Sequence, residues 1–178
     1  MPRTFEVRQQ FDASAAQVRA MMVDPEYIAM RARRTGAAQV EVAVELASEF
    51  EPAGSPVDRQ PTCTLRITRV LPTDQAPGFA RSLLGDSITV AETQVWPAVV
   101  DGTANATMEA SFGSLLRLTA SIALSDSAHG SIALTQATCK AAVPLVGGKV
   151  ESLVQEQVSD YLDYEQRIAQ DWLSGQRD

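Results

Sequence analysis

The feature that most constrains this chain is a change of hydrophobic period. From Gln39 to about residue 142 apolar and polar residues alternate with a period of two, and beyond Pro144 the apolar ones recur every three to four residues. A period of two sends successive side chains to opposite faces of a strand, whereas a period near 3.6 gathers them along one stripe of a helix. A chain patterned in this order is expected to build a sheet and then lay one long helix against it.

Ahead of the alternating region, residues 4–11 place Phe5, Val7 and Phe11 on one side of a first strand. Asp12 or Ser14 can cap a short helix through Val18, Met21 and Met22, because a side-chain oxygen satisfies the free amides of a first turn. Asp24-Pro25 interrupts it, and Pro25 suits the first turn of a second short helix, Glu26 to Arg34, stopped at Thr35-Gly36.

The alternating region then divides into strands. From Gln39 to Phe50, Val40, Val42, Val44 and Leu46 oppose Glu41, Glu45 and Glu49, so one face is expected in the core and the other in water. Residues 51–61 read as a loop from their proline and glycine content, and Cys63, Leu65 and Ile67 alternate with Thr64, Arg66 and Thr68 in the next strand. Residues 77–84 read as a loop with a helical turn exposing Phe79, Leu83 and Leu84. Runs at about 86–97, 103–112, 116–125 and 131–142 complete seven strands. The short turns between them, such as Asp101-Gly102 and Ala128-His129-Gly130, make neighbours antiparallel.

The final stripe comprises Val146, Val150, Leu153, Val154, Gln157, Tyr161, Tyr164, Ile168 and Trp172. Gly147-Gly148 at its start each cost about 1 kcal/mol of helix propensity relative to alanine, which suggests close approach to another backbone.

Length and composition set the outer limits. The 178 residues, 45% hydrophobic and 21% charged, suit one α+β domain over residues 1–178 with a real core. A net charge of -7 repels phosphate backbones and anionic lipid surfaces, so nucleic acid is not an expected partner. The one dense basic cluster, Arg31, Arg33 and Arg34, reads as the solvated end of the second helix. No run approaches the ~20 apolar residues that span a bilayer, and no signal-type stretch follows the start, so a cytoplasmic location without membrane insertion is expected. Cys63 and Cys139 lack disulfide-scaffold or metal-type spacing and read as reduced thiols.

The order of a strand, two short helices, six strands and a long terminal helix resembles the helix-grip fold of the START and pollen-allergen type (SRPBCC). Within that superfamily the chain resembles a bacterial domain family of unknown function. The resemblance rests on Phe5-Glu6-Val7, on Ala110-Ser111-Phe112-Gly113, and on the segment Val143 to Lys149 leading into the last helix. It implies a curved seven-stranded sheet wrapped around the terminal helix with a cavity between them. The superfamily includes lipid carriers, hormone receptors, polyketide cyclases and oxygenase subunits, so the resemblance carries fold further than function.

The residues agree with a cavity. Alanines at 104, 106, 110 and 120, facing a bulky helix stripe, leave volume that a solid core would fill with larger side chains, unless Met108, Tyr161, Tyr164 and Trp172 close it. Val90, Glu92, Gln94 and Trp96 share one face of their strand; Ala106, Met108, Ala110 and Phe112 share one face of the next; Leu118 follows. Gln136 shares a face with Ile132 and Leu134. Buried polar groups are costly unless paired, so Glu92, Gln94 and Gln136 either form the hydrogen-bonding end of an apolar pocket or lie on a solvated face.

His129, the single histidine, falls in a turn, and neither a nucleophilic pair nor a histidine-rich metal site can be assembled. No cofactor or metal is expected. The leading expectation is binding of a hydrophobic small molecule of lipid, polyketide or isoprenoid type, with Tyr161 among the ligand-facing residues. The alternatives are a cyclase- or dehydratase-like enzyme in which Glu92 or Tyr161 moves a proton, and an interaction module using Phe79, Leu83 and Leu84. The sequence leaves homodimerisation open.

Overall fold

The computed structural model describes residues 2–47, 60–74, 76, 78–143 and 147–176. Its elements are β1 (Arg3–Phe11), α1 (Ala15–Met22), α2 (Pro25–Arg34), β2 (Gln39–Leu46), β3 (Cys63–Pro72), α3 (Gly78–Leu84), β4 (Ser87–Trp96), β5 (Thr103–Phe112), β6 (Leu116–Ser127), β7 (Gly130–Ala141) and α4 (Gly147–Leu173). The seven strands form one antiparallel sheet in the order β1-β7-β6-β5-β4-β3-β2, curved around α4. This is the helix-grip arrangement implied by the element order. Glu49 and most of the 51–61 loop, the side chains of Phe79 and Leu83, and Val146 lie outside the described residues.

Local chemistry sets the element ends. Ser14 caps α1 in a reciprocal box: its Oγ accepts from the Gln17 amide and the Gln17 side chain accepts from the Ser14 amide. Asp24 caps α2 and Pro25 fills its first turn. Gly130 opens β7 with φ 125°, and a Cβ there would stand 2.0 Å from the Phe11 carbonyl oxygen, so this turn requires glycine. The pair Gly147-Gly148 behaves differently from expectation. Among the described residues a Cβ on Gly148 would meet nothing within 4 Å and one on Gly147 comes no nearer than 3.8 Å to the Ala141 carbonyl oxygen, so no close approach to a described backbone accounts for them.

Helix α4 lies against β1, β7 and α2, at one side of the sheet. The core splits accordingly. One cluster gathers Phe11, Val18, Tyr27, Leu65, Trp96, Ile168 and Trp172 around α1, α2 and the last turns of α4; each fully buried aliphatic or aromatic side chain there stabilises by about 1.5–3 kcal/mol. A smaller cluster of Phe5, Ala110, Leu116, Leu118, Ala137 and Cys139 packs with Val150, Val154 and Val158. Cys63 and Cys139 are both free thiols, buried in separate clusters.

Two core expectations change. Leu46 is 64% exposed, because it closes the edge strand β2 beyond Val40, Val42 and Val44, which pack on the core. Arg31 is not solvated: it is 4% exposed on the α2 face shared with Tyr27 and Ile28, while Arg33 is exposed.

Candidate functional site

The two core clusters do not meet along the whole length of α4. Between them a cavity of about 610 Å³ opens, lined by members of both, including Val18, Trp96, Ile122 and Ala133 from the first and Ala110, Leu118 and Ala137 from the second. Val154, Val158, Tyr161 and Leu162 of α4 form the opposite wall. Arg34, Thr35, Gly36, Leu71, Asp160 and Tyr164 also border it, on α2, β3 and the exposed side of α4.

Across this apolar space runs a chain of buried polar groups. The Trp96 indole N–H donates to Gln94 Oε1 at 2.7 Å, and Gln94 Nε2 donates in turn to Glu92 Oε1. Glu92 Oε2 accepts from Arg69 Nη2 at 2.7 Å, and Arg69 Nη1 donates to the Tyr161 hydroxyl at 3.2 Å. The Arg69 guanidinium also faces the Tyr161 ring, 5.5 Å from its centroid. A second buried pair, Arg31 Nη1 to Glu165 Oε1 at 2.6 Å, ties α2 to α4. Gln9 joins β1 to the helix by donating to the Leu162 carbonyl at 2.8 Å. Such groups tolerate burial because each charge meets an opposite one in a good hydrogen bond.

The charge states follow. Burial pulls the Arg31 and Arg69 pKa values down, but Tyr161 once ionised outweighs it, together with Glu165 and Glu92 at Arg31 and with Glu92 at Arg69, so both end raised and both arginines stay cationic. Burial pushes the Tyr161 hydroxyl up, against the pull of Arg31 and Arg69, so it stays a neutral phenol. Burial also holds the Tyr27 phenol well above its ordinary value.

Glu92, Gln94, Trp96, Met108, Ala110, Phe112, Leu118 and Tyr161 all border the cavity. Val90 and Ala106 are buried on the same inner face but do not reach it; Val90 sits opposite Arg69 and Phe112, and Ala106 packs in the first core cluster. Gln136 is on the other side of the sheet. It is exposed and donates to Glu6 Oε2 at 3.1 Å. The inner face of β7 is instead Ser131, Ala133, Thr135, Ala137 and Cys139, because α4 packs there and small side chains let it approach; Ile132 and Leu134 lie outside, opposite Gln10 and Arg8. Room in the cavity therefore comes from Ala110, Ala133 and Ala137, not from Ala104, Ala106 or Ala120.

Arg31, Arg69 and Glu165 were not expected in the site. Their signals were present. Arg69 continues the Cys63, Leu65, Ile67 alternation, and Glu165 falls four residues after Tyr161 and three before Ile168 on the α4 stripe.

Residues 6–173 match the family described as a protein of unknown function, DUF2505. The chain belongs to the DUF2505 family. An uncharacterised protein of Mycobacterium tuberculosis is similar over essentially the whole of this DUF2505 chain, 25% identical across 177 residues and 98% of each protein. Among solved structures, TTHA0849 from Thermus thermophilus covers 95% of each chain with a TM-score of 0.55 at 14% identity. The di-domain ARO/CYC BexL from the BE-7585A biosynthetic pathway has a TM-score of 0.59 at 14% identity; the match covers 96% of this chain and 49% of that one. These likenesses are of fold, and they agree with the helix-grip arrangement of sheet and terminal helix.

Chemically, the DUF2505 cavity offers a neutral phenol and two buried guanidinium groups, with the more exposed Arg34 at its border. Glu92 is engaged at both oxygens, by Gln94 and by Arg69, which suits an anchor and not a free base. Among the described residues, no group of three or more His, Cys, Asp and Glu side chains is placed to hold a metal ion, and no helix is long and apolar enough to cross a membrane.

Proposed function

We propose that this protein binds a hydrophobic small molecule, of lipid, polyketide or isoprenoid type, between the sheet and α4, as one cytoplasmic domain spanning residues 1–178. The observation that carries this reading is the cavity of about 610 Å³, walled by aliphatic and aromatic side chains and crossed by a short polar network. That division of labour, apolar area for affinity and a few convergent polar groups for orientation, is the usual one in small-molecule sites. Val90, Ala106 and Gln136 drop out of the proposed contact set, and Arg31, Arg69 and Thr135 join it. Native mass spectrometry of freshly purified protein, paired with titration of the uncharged dye Nile red, tests the proposal. A discrete extra mass lost on denaturation, or saturable dye fluorescence displaced by added lipid or polyketide, is the expected outcome. A bare native mass together with no saturable dye uptake overturns it.

A second reading, a cyclase- or dehydratase-like enzyme in the same cavity, is favoured by Tyr161. Its hydroxyl accepts from Arg69 and so has its own proton to donate to a substrate oxygen, with a cation beside it to steady the charge. For a candidate poly-ketone substrate, Tyr161→Phe is expected to abolish turnover while weakening binding only severalfold. Unchanged turnover in that variant sinks the catalytic assignment.

A further inference from the structure

The polar end of the cavity can be characterised further by counting what its groups still lack. Arg31 and Arg69 each spend terminal nitrogens on a carboxylate, yet the Nε–H of both has no hydrogen-bond partner among the described residues, although both side chains are more than nine-tenths buried. Buried donors without acceptors are costly, about 1–3 kcal/mol each. Both arginines border the cavity. Both Nε atoms are covered by protein, so a ligand meets these arginines at their terminal nitrogens and meets the Tyr161 hydroxyl, which accepts from Arg69 and keeps its own proton to give; this end is rich in donors and lacks an acceptor oxygen.

Charge decides which kind of oxygen. Among the described lining residues, three arginines, Arg31, Arg34 and Arg69, stand with three carboxylates, Glu92, Asp160 and Glu165. Arg31 is neutralised by Glu165 and Arg69 by Glu92, while Arg34 pairs with Asp171 outside the lining, so neither buried guanidinium is an unpaired cation. A ligand carboxylate entering here would lose its hydration without gaining an unpaired cation, and taking Arg69 for itself would leave Glu92 buried without a counter-ion. The whole chain, at a net charge of -7, also disfavours the approach of anions in general.

We propose, building on the small-molecule reading above, that the ligand's polar end is an uncharged acceptor oxygen, a ketone, quinone or ester carbonyl, received by Arg31 and Arg69, and that carboxylates of the same shape are excluded. The carbonyl supplies an acceptor and asks for no counter-charge. The Tyr161 hydroxyl is a third donor at the same end.

Three probes of one skeleton test this by isothermal calorimetry at neutral pH: 2-acetonaphthone, the anion 2-naphthoate and the oxygen-free 2-ethylnaphthalene. The ketone is expected to bind at least tenfold more tightly than the naphthoate and severalfold more tightly than the hydrocarbon. Glu92→Gln, which keeps the side-chain shape and leaves Arg69 one positive charge in excess, should raise naphthoate affinity at least tenfold relative to ketone. Equal affinities, or a wild-type preference for naphthoate, overturn the inference while leaving the binding reading intact. Failure of all three probes, with no uptake of Nile red, overturns both together.

Discussion

Arg69 and Glu92 are diagonal neighbours across the β3–β4 ladder, with Arg69 opposite Val90 and Ile67 opposite Glu92, and their side chains meet at 2.7 Å on the inner face of the sheet. Both are almost wholly buried. Tyr161 completes the contact from α4. The polar network is thus a bridge between sheet and helix at the point where apolar packing between them gives out.

Removing one member of that bridge leaves a buried charge. Glu92→Ala is expected to cost about 3–5 kcal/mol, because Arg69 then has no counter-ion. Glu92→Gln retains an acceptor and should cost less. Urea denaturation of the two variants measures the difference, and equal losses would mean that packing, not charge, holds this position.

The Arg31–Glu165 pair joins two helices and behaves differently on double replacement. Glu165→Ala alone should destabilise by about 3–5 kcal/mol, whereas Arg31→Met combined with Glu165→Leu fills the same volume without charge and should recover most of the loss. A double variant no more stable than Glu165→Ala would contradict this.

Ala110 and Ala106 look alike in sequence and differ in place. Ala110→Phe projects into the cavity, so Nile red binding should fall at least tenfold with a small change in urea midpoint. Ala106→Phe enters a packed cluster and should cost about 1–3 kcal/mol or more in stability. If Ala110→Phe leaves dye binding unchanged, the cavity is not the binding site.

Thiol ionisation supplies a pH test. Burial, with the Glu151 carboxylate nearby, pushes Cys139 up to about 11 from an ordinary value of 9.0. The unfolded thiol releases its proton first as pH rises, so the contribution to stability is complete below pH 9 and is lost on the way to about 11. Burial raises Cys63 as well, in the same sense. Urea midpoints should therefore fall across that window, and less steeply in Cys139→Ala. Identical slopes in the two proteins would remove Cys139 from the account.

Much of this architecture is legible in the sequence. The strand alternations in β3, β5 and β6, the capped short helices and the long terminal stripe are local properties, set by side-chain spacing and by a few caps and turns, so sequence alone determined the element order and with it the helix grip. Faces were legible wherever one side of a strand was apolar and the other charged, as in Leu116 to Leu124. They failed on β7, where the larger hydrophobic residues Ile132 and Leu134 lie outside and small residues lie under α4. Which side of β7 a helix will cover is not a property of β7.

The same limit applies to the site. Glu92 and Gln94 could be seen to interrupt an apolar face, but whether that face turned inward depended on Arg69, Tyr161 and the helix that brings the last of these across the sheet. Arg31 resembled a solvated helix end until Glu165, 134 residues later in the chain, stood opposite it. Pairing of buried charges joins distant segments. Local spacing determined the elements; only the tertiary structure decided which polar residues they bury together, because a buried charge is tolerated solely where another element supplies its partner.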